Sequence, residues 1–396
     1  MTRVDKFDLE WLIGKDFSKE KFLSDYFEKQ PLHIKKAVSL KFDIKRFEEI
    51  LWRFENELGD RLRVNKGGNP TIVPYLKLGA ELCHWAIERY AEGNTLILNG
   101  LHELDTDLAK ISSNLQLDFG RKASVNGFLT PPSSQGFQEH FDSHDVFLFQ
   151  TSGKKHWKIY DSEVYLPLPR QQRHVDFDNS SKPIIDVVLE KGDILYIPRG
   201  FVHSGSTNSK DYSLHLTIGV RPTLNLDIVT SLMEEIAIKE PKLRESLLLN
   251  NREDIIEVIQ RNLNSINLWK KATNRHKINS IGEARSGVIN RVNSLAKIEN
   301  INIKTSFRKG KTTNFEIVDF DDKIGLVFSI GKSRDKNNEL NPASVLFPGS
   351  NYGILNLIRK TDRPISLEEI SKNYDIDECK KLFKILVRRG FLEIVD

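Results

Sequence analysis

The stretch Gly192-Asp-Ile-Leu-Tyr-Ile-Pro198-Arg-Gly200-Phe-Val-His203 decides how this chain is read. Gly192-Asp193 reads as a tight turn, Ile194 to Ile197 as a short buried strand, and Pro198-Arg199-Gly200 as a second turn that delivers His203 to the next strand. Upstream stands His140-Phe141-Asp142. Side chains two apart on a strand share a face, so His140 and Asp142 can grip one ion together, with His203 as the third donor. Two histidines and one carboxylate form the ligand set of a facial triad on non-haem Fe(II), which leaves three coordination positions open.

An H-x-D tripeptide is weak evidence alone, since a chain with ten histidines holds about one by chance. A second, His174-Val175-Asp176, lies in a polar segment between Arg170-Gln171-Gln172-Arg173 and Asp178-Asn179-Ser180 and reads as a solvated loop without a metal. By contrast, His140 and Asp142 lead into Val146-Phe-Leu-Phe149, a turn at Ser152-Gly153, and Lys155 to Tyr160. This reads as a β-hairpin.

The run Gly192 to His203 fits G-x5-P-x-G-x2-H and resembles the second cupin motif, with H-x-D at 140 in place of the first motif's H-x-H. Asn126-Gly-Phe-Leu-Thr-Pro-Pro-Ser-Ser-Gln-Gly136 before His140, and Gly153-Lys-Lys155-His-Trp157 after Phe149, resemble the JmjC oxygenases, specifically their ribosomal-oxygenase branch. The opening Phe27-Glu28-Lys29-Gln30-Pro31-Leu32-His33-Ile34 is similar too. The resemblance implies a mainly β, double-stranded β-helix barrel with flanking helices, an α-helical segment and a C-terminal winged helix. It also implies Fe(II), 2-oxoglutarate as cosubstrate, and O2. Phe128 stands where some relatives carry a tyrosine that contacts the cosubstrate.

Composition fits a globular protein: 39% hydrophobic and 29% charged residues. Lys plus Arg at 59 against Asp plus Glu at 55 creates no strong field for nucleic acid or membrane. The start lacks an apolar signal core and no run approaches the roughly 18 residues of a membrane helix, so a cytoplasmic location is expected. Cys83 and Cys379, far apart and without ligand spacing, indicate neither a disulfide framework nor a zinc finger.

By pattern the chain divides into a barrel at 1–222, a helical segment at 223–300 and a winged-helix-like region at 301–396. The barrel includes helices near Lys45 to Glu57 and Ala80 to Tyr90. Beyond Pro222 the apolar period lengthens through Ile228, Leu232 and Ile236, then Ile255, Ile256, Ile259 and Leu263, then Val288, Ile289, Val292 and Leu295. Those stripes need cover; the resemblance implies a homodimer interface, and a cap on the same subunit is the alternative. Ser366-Leu-Glu-Glu369 reads as a capping box, Asp377 to Arg389 as a helix stopped by Gly390, and Phe391 to Val395 as a strand. Lys380, Lys381, Lys384, Arg388 and Arg389 could meet phosphate, but Glu368, Glu369, Asp375, Asp377 and Glu378 cut the field, so DNA binding is not expected.

The far carboxylate of 2-oxoglutarate needs a buried cation. Lys155 occupies the position where relatives carry a lysine or arginine for it, and Lys154 should point to solvent; a register slip of one residue would exchange them. Asn126 and Thr217 are further cosubstrate contacts, Asn126 by resemblance alone. Ser213, His215 and Thr217 form one polar strand face, with His215 read as structural or as a support behind the ligands. His144 shares parity with Asp142 near the mouth, His156 faces away from Lys155, and Trp157, Phe147 and Phe149 read as core. The expected activity is hydroxylation of an Arg or His side chain of a ribosomal protein. Its competitors are the same chemistry on a precursor peptide, a metal cupin that never uses O2, and a metal-free binding module.

Overall fold

The computed structural model describes residues 7–74, 77–121, 123–171, 182–208, 210–246, 252–281, 291–310, 315–320, 323–328, 343–361 and 363–395. The chain forms two compact units, Met1–Arg221 and Pro222–Asp396.

In the first unit, eleven strands among the described residues fall into two sheets: β1 (Leu32–Ile34), β2 (Leu62–Lys66), β3 (Asn69–Thr71), β4 (Thr95–Leu98), β5 (Ser124–Thr130), β6 (Asp145–Gly153), β7 (Lys155–Ser162), β8 (Ile185–Leu189), β9 (Ile194–Ile197), β10 (Phe201–Ser206) and β11 (Ser213–Val220). The larger sheet runs β1-β9-β6-β11-β5-β4-β2-β3 and the smaller β10-β7-β8; the pairings are antiparallel. Alternation assigns the faces. On β6, Val146 and Leu148 join Trp157, Ile159, Leu189, Leu195, Ile197 and Phe201 in a core between the sheets. Phe147 and Phe149 point the other way, as do Leu214, Leu216, Ile218 and Val220 of β11.

That outer face is covered by helices α1 (Leu9–Ile13), α2 (Lys19–Asp25), α3 (Ile44–Arg53), α4 (Gly79–Ala91) and α5 (Thr106–Phe119), whose Leu12, Phe22, Phe47, Leu82 and Leu115 belong to the same core. Asp8, Ser18, Asp43 and Asp105 start four of them by accepting from first-turn amides. Thus Phe147 and Phe149 are core. Trp157 is core and also packs beside His203.

The hairpin expected over residues 146–160 does not form. Strand β6 already has β9 on one edge and β11 on the other, so β7 crosses to the smaller sheet and pairs with β10 and β8. The corner is Gly153, at φ +64°, where a Cβ would stand 1.9 Å from the Tyr212 carbonyl oxygen. The turn chemistry was readable; which edges were free depended on distant strands.

In the second unit, α6 (Asn225–Lys239), α7 (Arg252–Asn262) and α8 (Ile266–Ile281) share a small core of Leu232, Ile236, Val258, Leu268 and Ala272. A short helix α9 (Arg291–Ala296) follows; it carries Val292, 77% exposed, and Leu295, while Val288 and Ile289 lie outside the described residues. The remaining strands are β12 (Ser306–Lys309), β13 (Phe315–Phe320), β14 (Lys323–Phe328), β15 (Ala343–Pro348), β16 (Ile365–Ser366) and β17 (Leu392–Val395), with helices α10 (Tyr352–Lys360), α11 (Leu367–Ser371) and α12 (Ile376–Arg388). They make two sheets, β16-β12-β17 and β13-β14-β15, around a core that includes Phe307, Leu355, Phe383 and Phe391. Ser366 accepts from the Glu369 amide at the start of α11, and Gly390, at φ +81°, follows α12. The β13-β14-β15 sheet was not anticipated.

Candidate metal centre

Residues 135–140 run antiparallel to β10 through bridges Gln135 to Ser206 and His140 to His203. The His140 and His203 amides exchange hydrogen bonds with each other's carbonyls at 3.2 and 2.8 Å. Directly opposed residues project to one face, and the two imidazole centroids lie 4.5 Å apart. Beyond His140 the pairing ends, apart from the Gly200 amide donating to the Asp142 carbonyl at 3.0 Å. Asp142 is therefore on an extended leg rather than in a regular strand. Its Oδ2 stands 3.8 Å from His203 Nε2, and one donor atom from each of His140, Asp142 and His203 lies within 4.8 Å of the others.

The ring nitrogens are assigned by their partners. His140 Nδ1 donates to the Gln138 carbonyl at 2.8 Å and His203 Nδ1 to the Phe201 carbonyl at 3.0 Å. A carbonyl only accepts, so each Nδ1 carries a proton, and in the neutral ring the Nε2 lone pair is left for a cation. Burial, reinforced by His140 and opposed by Asp142, lowers the His203 pKa to about 4. The donor set fits a divalent ion: two imidazole nitrogens and a carboxylate oxygen, all within 4.8 Å of one another.

Further into the same interior lies Lys155, 3% exposed. Its Nζ donates to Thr130 Oγ1 at 3.3 Å, and Thr130 Oγ1 accepts from Thr95 at 3.2 Å. Burial pulls the Lys155 pKa down to about 7. No carboxylate among the described residues pairs with it. Lys154 instead bonds Glu190 on the surface at 2.7 Å, so the two lysines take the sides expected of them.

Six aromatic rings close a loop along this interior. From His140 it passes to Phe137 (5.4 Å between centroids), Phe128 (6.2 Å), His215 (4.9 Å), Trp157 (5.4 Å) and His203 (6.2 Å). Trp157 connects the two ends, because Lys155 Nζ lies 5.1 Å from its centroid. His215 stacks flat on Phe128 and is pushed by burial and by Lys155 well below the usual imidazole pKa. Asn126 and Thr217 are register partners on β5 and β11. Asn126 Oδ1 accepts from the Gly100 amide at 3.0 Å. His144 packs at Gly219, where a Cβ would meet its ring at 2.8 Å. His156 bonds Asp186 at the surface. His174 and Asp176 lie outside the described residues.

Thr130, Thr95, Phe137 and Gly205 also border the interior and do not stand out in the sequence. Thr130 was findable, being on the interior parity of β5 with Asn126 and Phe128. Gly205 was findable as the residue two beyond His203. Thr95 and Phe137 reach the site through packing that no local pattern encodes.

Two facing antiparallel sheets thus carry, at one end of their interior, a two-histidine, one-carboxylate cluster that could hold a metal ion. Residues 102–227 match the JmjC domain family. Ribosomal oxygenase 1 of Danio rerio is 34% identical over 215 residues, covering 53% of this chain and 39% of that protein. The bifunctional lysine-specific demethylase and histidyl-hydroxylase NO66 of Drosophila erecta is 34% identical over 226 residues, 54% of this chain and 33% of its own length. The chain thus matches less than half the length of these relatives. Escherichia coli ribosomal oxygenase YcfD, solved with cobalt and 2-oxoglutarate, shares the fold over 97% of this chain and 99% of its own, at a TM-score of 0.59 and 14% identity.

Proposed function

We propose that this chain is an Fe(II)- and 2-oxoglutarate-dependent oxygenase that hydroxylates a protein side chain, an Arg or His of a ribosomal protein. The observation that carries this reading is the pairing of two unlike sites in one interior. A cluster of three donor atoms stands at one end. A buried lysine with no carboxylate partner among the described residues stands at the other, and Trp157 borders both. A 2-oxo dicarboxylate has complementary ends: a chelating head for the ion and a carboxylate for Lys155. The names of the Danio rerio and Drosophila erecta relatives support the substrate class.

In this mechanism His140, Asp142 and His203 would hold the ion, through an imidazole nitrogen from each histidine and a carboxylate oxygen. Carbonyls of Gln138 and Phe201 keep the imidazoles in the ligating tautomer. Lys155, steadied by Thr130, orients the cosubstrate through its far carboxylate, and the NH2 of Asn126 and the hydroxyl of Thr217 contact its oxo-acid head. The aromatic loop keeps water from that path. When bound, the ion would supply O2 activation for the oxidative decarboxylation of 2-oxoglutarate to succinate and CO2, with the second oxygen atom going to a C–H bond as hydroxyl. Incubation of the chain with Fe(II), 2-oxoglutarate, O2 and isolated ribosomal proteins should give succinate and one protein heavier by one oxygen. Succinate with oxygen on no ribosomal protein would point to another acceptor, such as a precursor peptide. No succinate under any of these conditions would end the oxygenase reading.

The remaining assignments follow the same reading. The barrel is placed at 1–222, a helical segment at 223–300 that pairs two copies of the chain, and a winged helix at 301–396. Exposed Leu226, Val229 and Ile238 on α6 and Ile266 on α8 support pairing, which sedimentation would test. The sheet β16-β12-β17 with the run α10, β16, α11, α12, β17, separated from β12 by the β13-β14-β15 sheet, supports the winged helix. DNA binding is not part of the reading, because Lys384 and Arg388 are engaged by Glu299 at 2.7 and 3.3 Å. No described helix is long and apolar enough to cross a membrane, and a cytoplasmic setting fits the substrate class.

A further inference from the structure

Behind the donor cluster, on the far side of the turn that presents His203, four residues form a closed polar circuit. Arg199 donates to Asp145 at 2.8 Å and pairs with Glu28 at 2.7 Å. The Tyr196 hydroxyl donates to Asp145 at 2.7 Å and accepts from the Glu28 amide at 2.9 Å. Asp145 and Tyr196 are fully buried and Arg199 is 6% exposed. Glu28 sits at φ +60°, a backbone conformation that an ordinary side chain adopts only when its surroundings hold it there.

The circuit joins the two legs that carry the donors. Asp145 opens β6 just after Asp142, and Arg199 lies in the Pro198–Gly200 turn just before β10 and His203. A main-chain bond, Gly200 amide to Asp142 carbonyl at 3.0 Å, ties the same legs. A buried ion pair is a poor source of stability, since apolar residues of equal volume serve as well. Its directional hydrogen bonds fix a separation that apolar packing does not.

We propose that Arg199 and Asp145, braced by Glu28 and Tyr196, are positioning residues that set the distance between the Asp142 leg and the His203 leg, and with it the affinity of the cluster for a divalent ion. Arg199 needs two arms here, one for each carboxylate, which a lysine lacks. This rests on the metal reading above.

The test is titration of the full chain with Co(II), reading both affinity and the visible d–d spectrum, beside the melting temperature without metal. Arg199→Met and Asp145→Asn should weaken Co(II) binding roughly ten-fold or more and shift the band positions, Arg199→Lys should recover part of the loss, and Glu28→Gln should lie between wild type and Arg199→Met. A purely structural circuit would lower the melting temperature while folded protein kept wild-type Co(II) affinity and spectrum, which overturns the proposal. If Arg199→Met and Asp145→Asn do not fold, Glu28→Gln and Arg199→Lys decide, and unchanged binding in both overturns it equally. Failure of the wild-type chain to bind Co(II) would instead sink the metal reading itself.

Discussion

At the mouth of the first unit's interior, His140 and His203 are fixed by main-chain groups, through a reciprocal backbone pair and carbonyls that set both tautomers. At the other end Lys155 is fixed by side chains, resting on the Thr130 hydroxyl and the Trp157 face with its charge uncompensated. The first arrangement should survive loss of its ligating groups, because main-chain bonds and the circuit behind it, not the ligands themselves, hold the two legs. The second holds a cation where water would otherwise solvate it, and that cost is recovered when an anion arrives.

The largest expected effect tests the mouth. His140→Ala or Asp142→Ala should remove turnover and ion binding, yet change folding stability by less than about 1 kcal/mol, since both side chains are partly exposed and fill no core. Assays of succinate formation, Co(II) titration and thermal melting read the three outcomes. An active Asp142→Ala variant would break the assignment of the site, and a collapsed one would show that the mouth is held by its side chains after all.

The closed end predicts the reverse pairing of effects. Lys155→Met should raise the 2-oxoglutarate requirement about 30-fold, from loss of a charge-assisted contact of about 2 kcal/mol, while the ligand-free protein becomes more stable. Titration of 2-oxoglutarate and melting of the apo protein check the two halves. A variant that loses stability along with binding would mean that the thioether fails to fill the space of the lysine stem.

The same site has a pH signature. The Lys155 pKa falls from 10.5 in the unfolded chain to about 7 in the fold, so between these values the unfolded state binds the extra proton. Stability rises with pH wherever the unfolded state holds more protons. The destabilisation is therefore fully present below about pH 7 and is relieved as pH climbs toward 10.5. The melting temperature of the wild-type chain should exceed its expected course over that window, and Lys155→Met should flatten the difference. Binding of 2-oxoglutarate above pH 7 should take up a proton, seen as a buffer-dependent heat.

These ends also differ in how far the sequence revealed them. His140, Asp142 and His203 are legible because turns and spacing are local: Pro198 and Gly200 stand just before β10 and His203, and the H-x-D spacing keeps His140 and Asp142 together. Lys155 was separable from Lys154 by alternation alone. What surrounds Lys155 was not legible, because Thr95, Thr130 and Trp157 come from three strands whose neighbours are set by sheet order. The expected β6–β7 hairpin failed for that same reason. Of the second unit, Ser366 and Gly390 announced the ends of helices, whereas β13-β14-β15 gave no signal strong enough to be read as a sheet.

The smallest expected effect asks how tightly the closed end is set. Gly205 lies on β10 opposite Trp157, and a Cβ there would stand 2.9 Å from Trp157 Cε3 and 3.0 Å from Lys155 Cε. Its backbone is that of an ordinary strand, so Gly205→Ala adds no backbone strain and only intrudes on those two side chains. One of them must yield. The end of a flexible lysine moves more easily than a ring wedged between His203 and His215, so the ammonium should shift from its place over Thr130. Overpacking of this kind costs about 1 kcal/mol, which should appear as about a five-fold rise in the 2-oxoglutarate requirement with Co(II) affinity at the mouth unchanged. A matched loss at both ends would mean that Trp157 moved instead, carrying His203 with it, and that the two ends are mechanically one site.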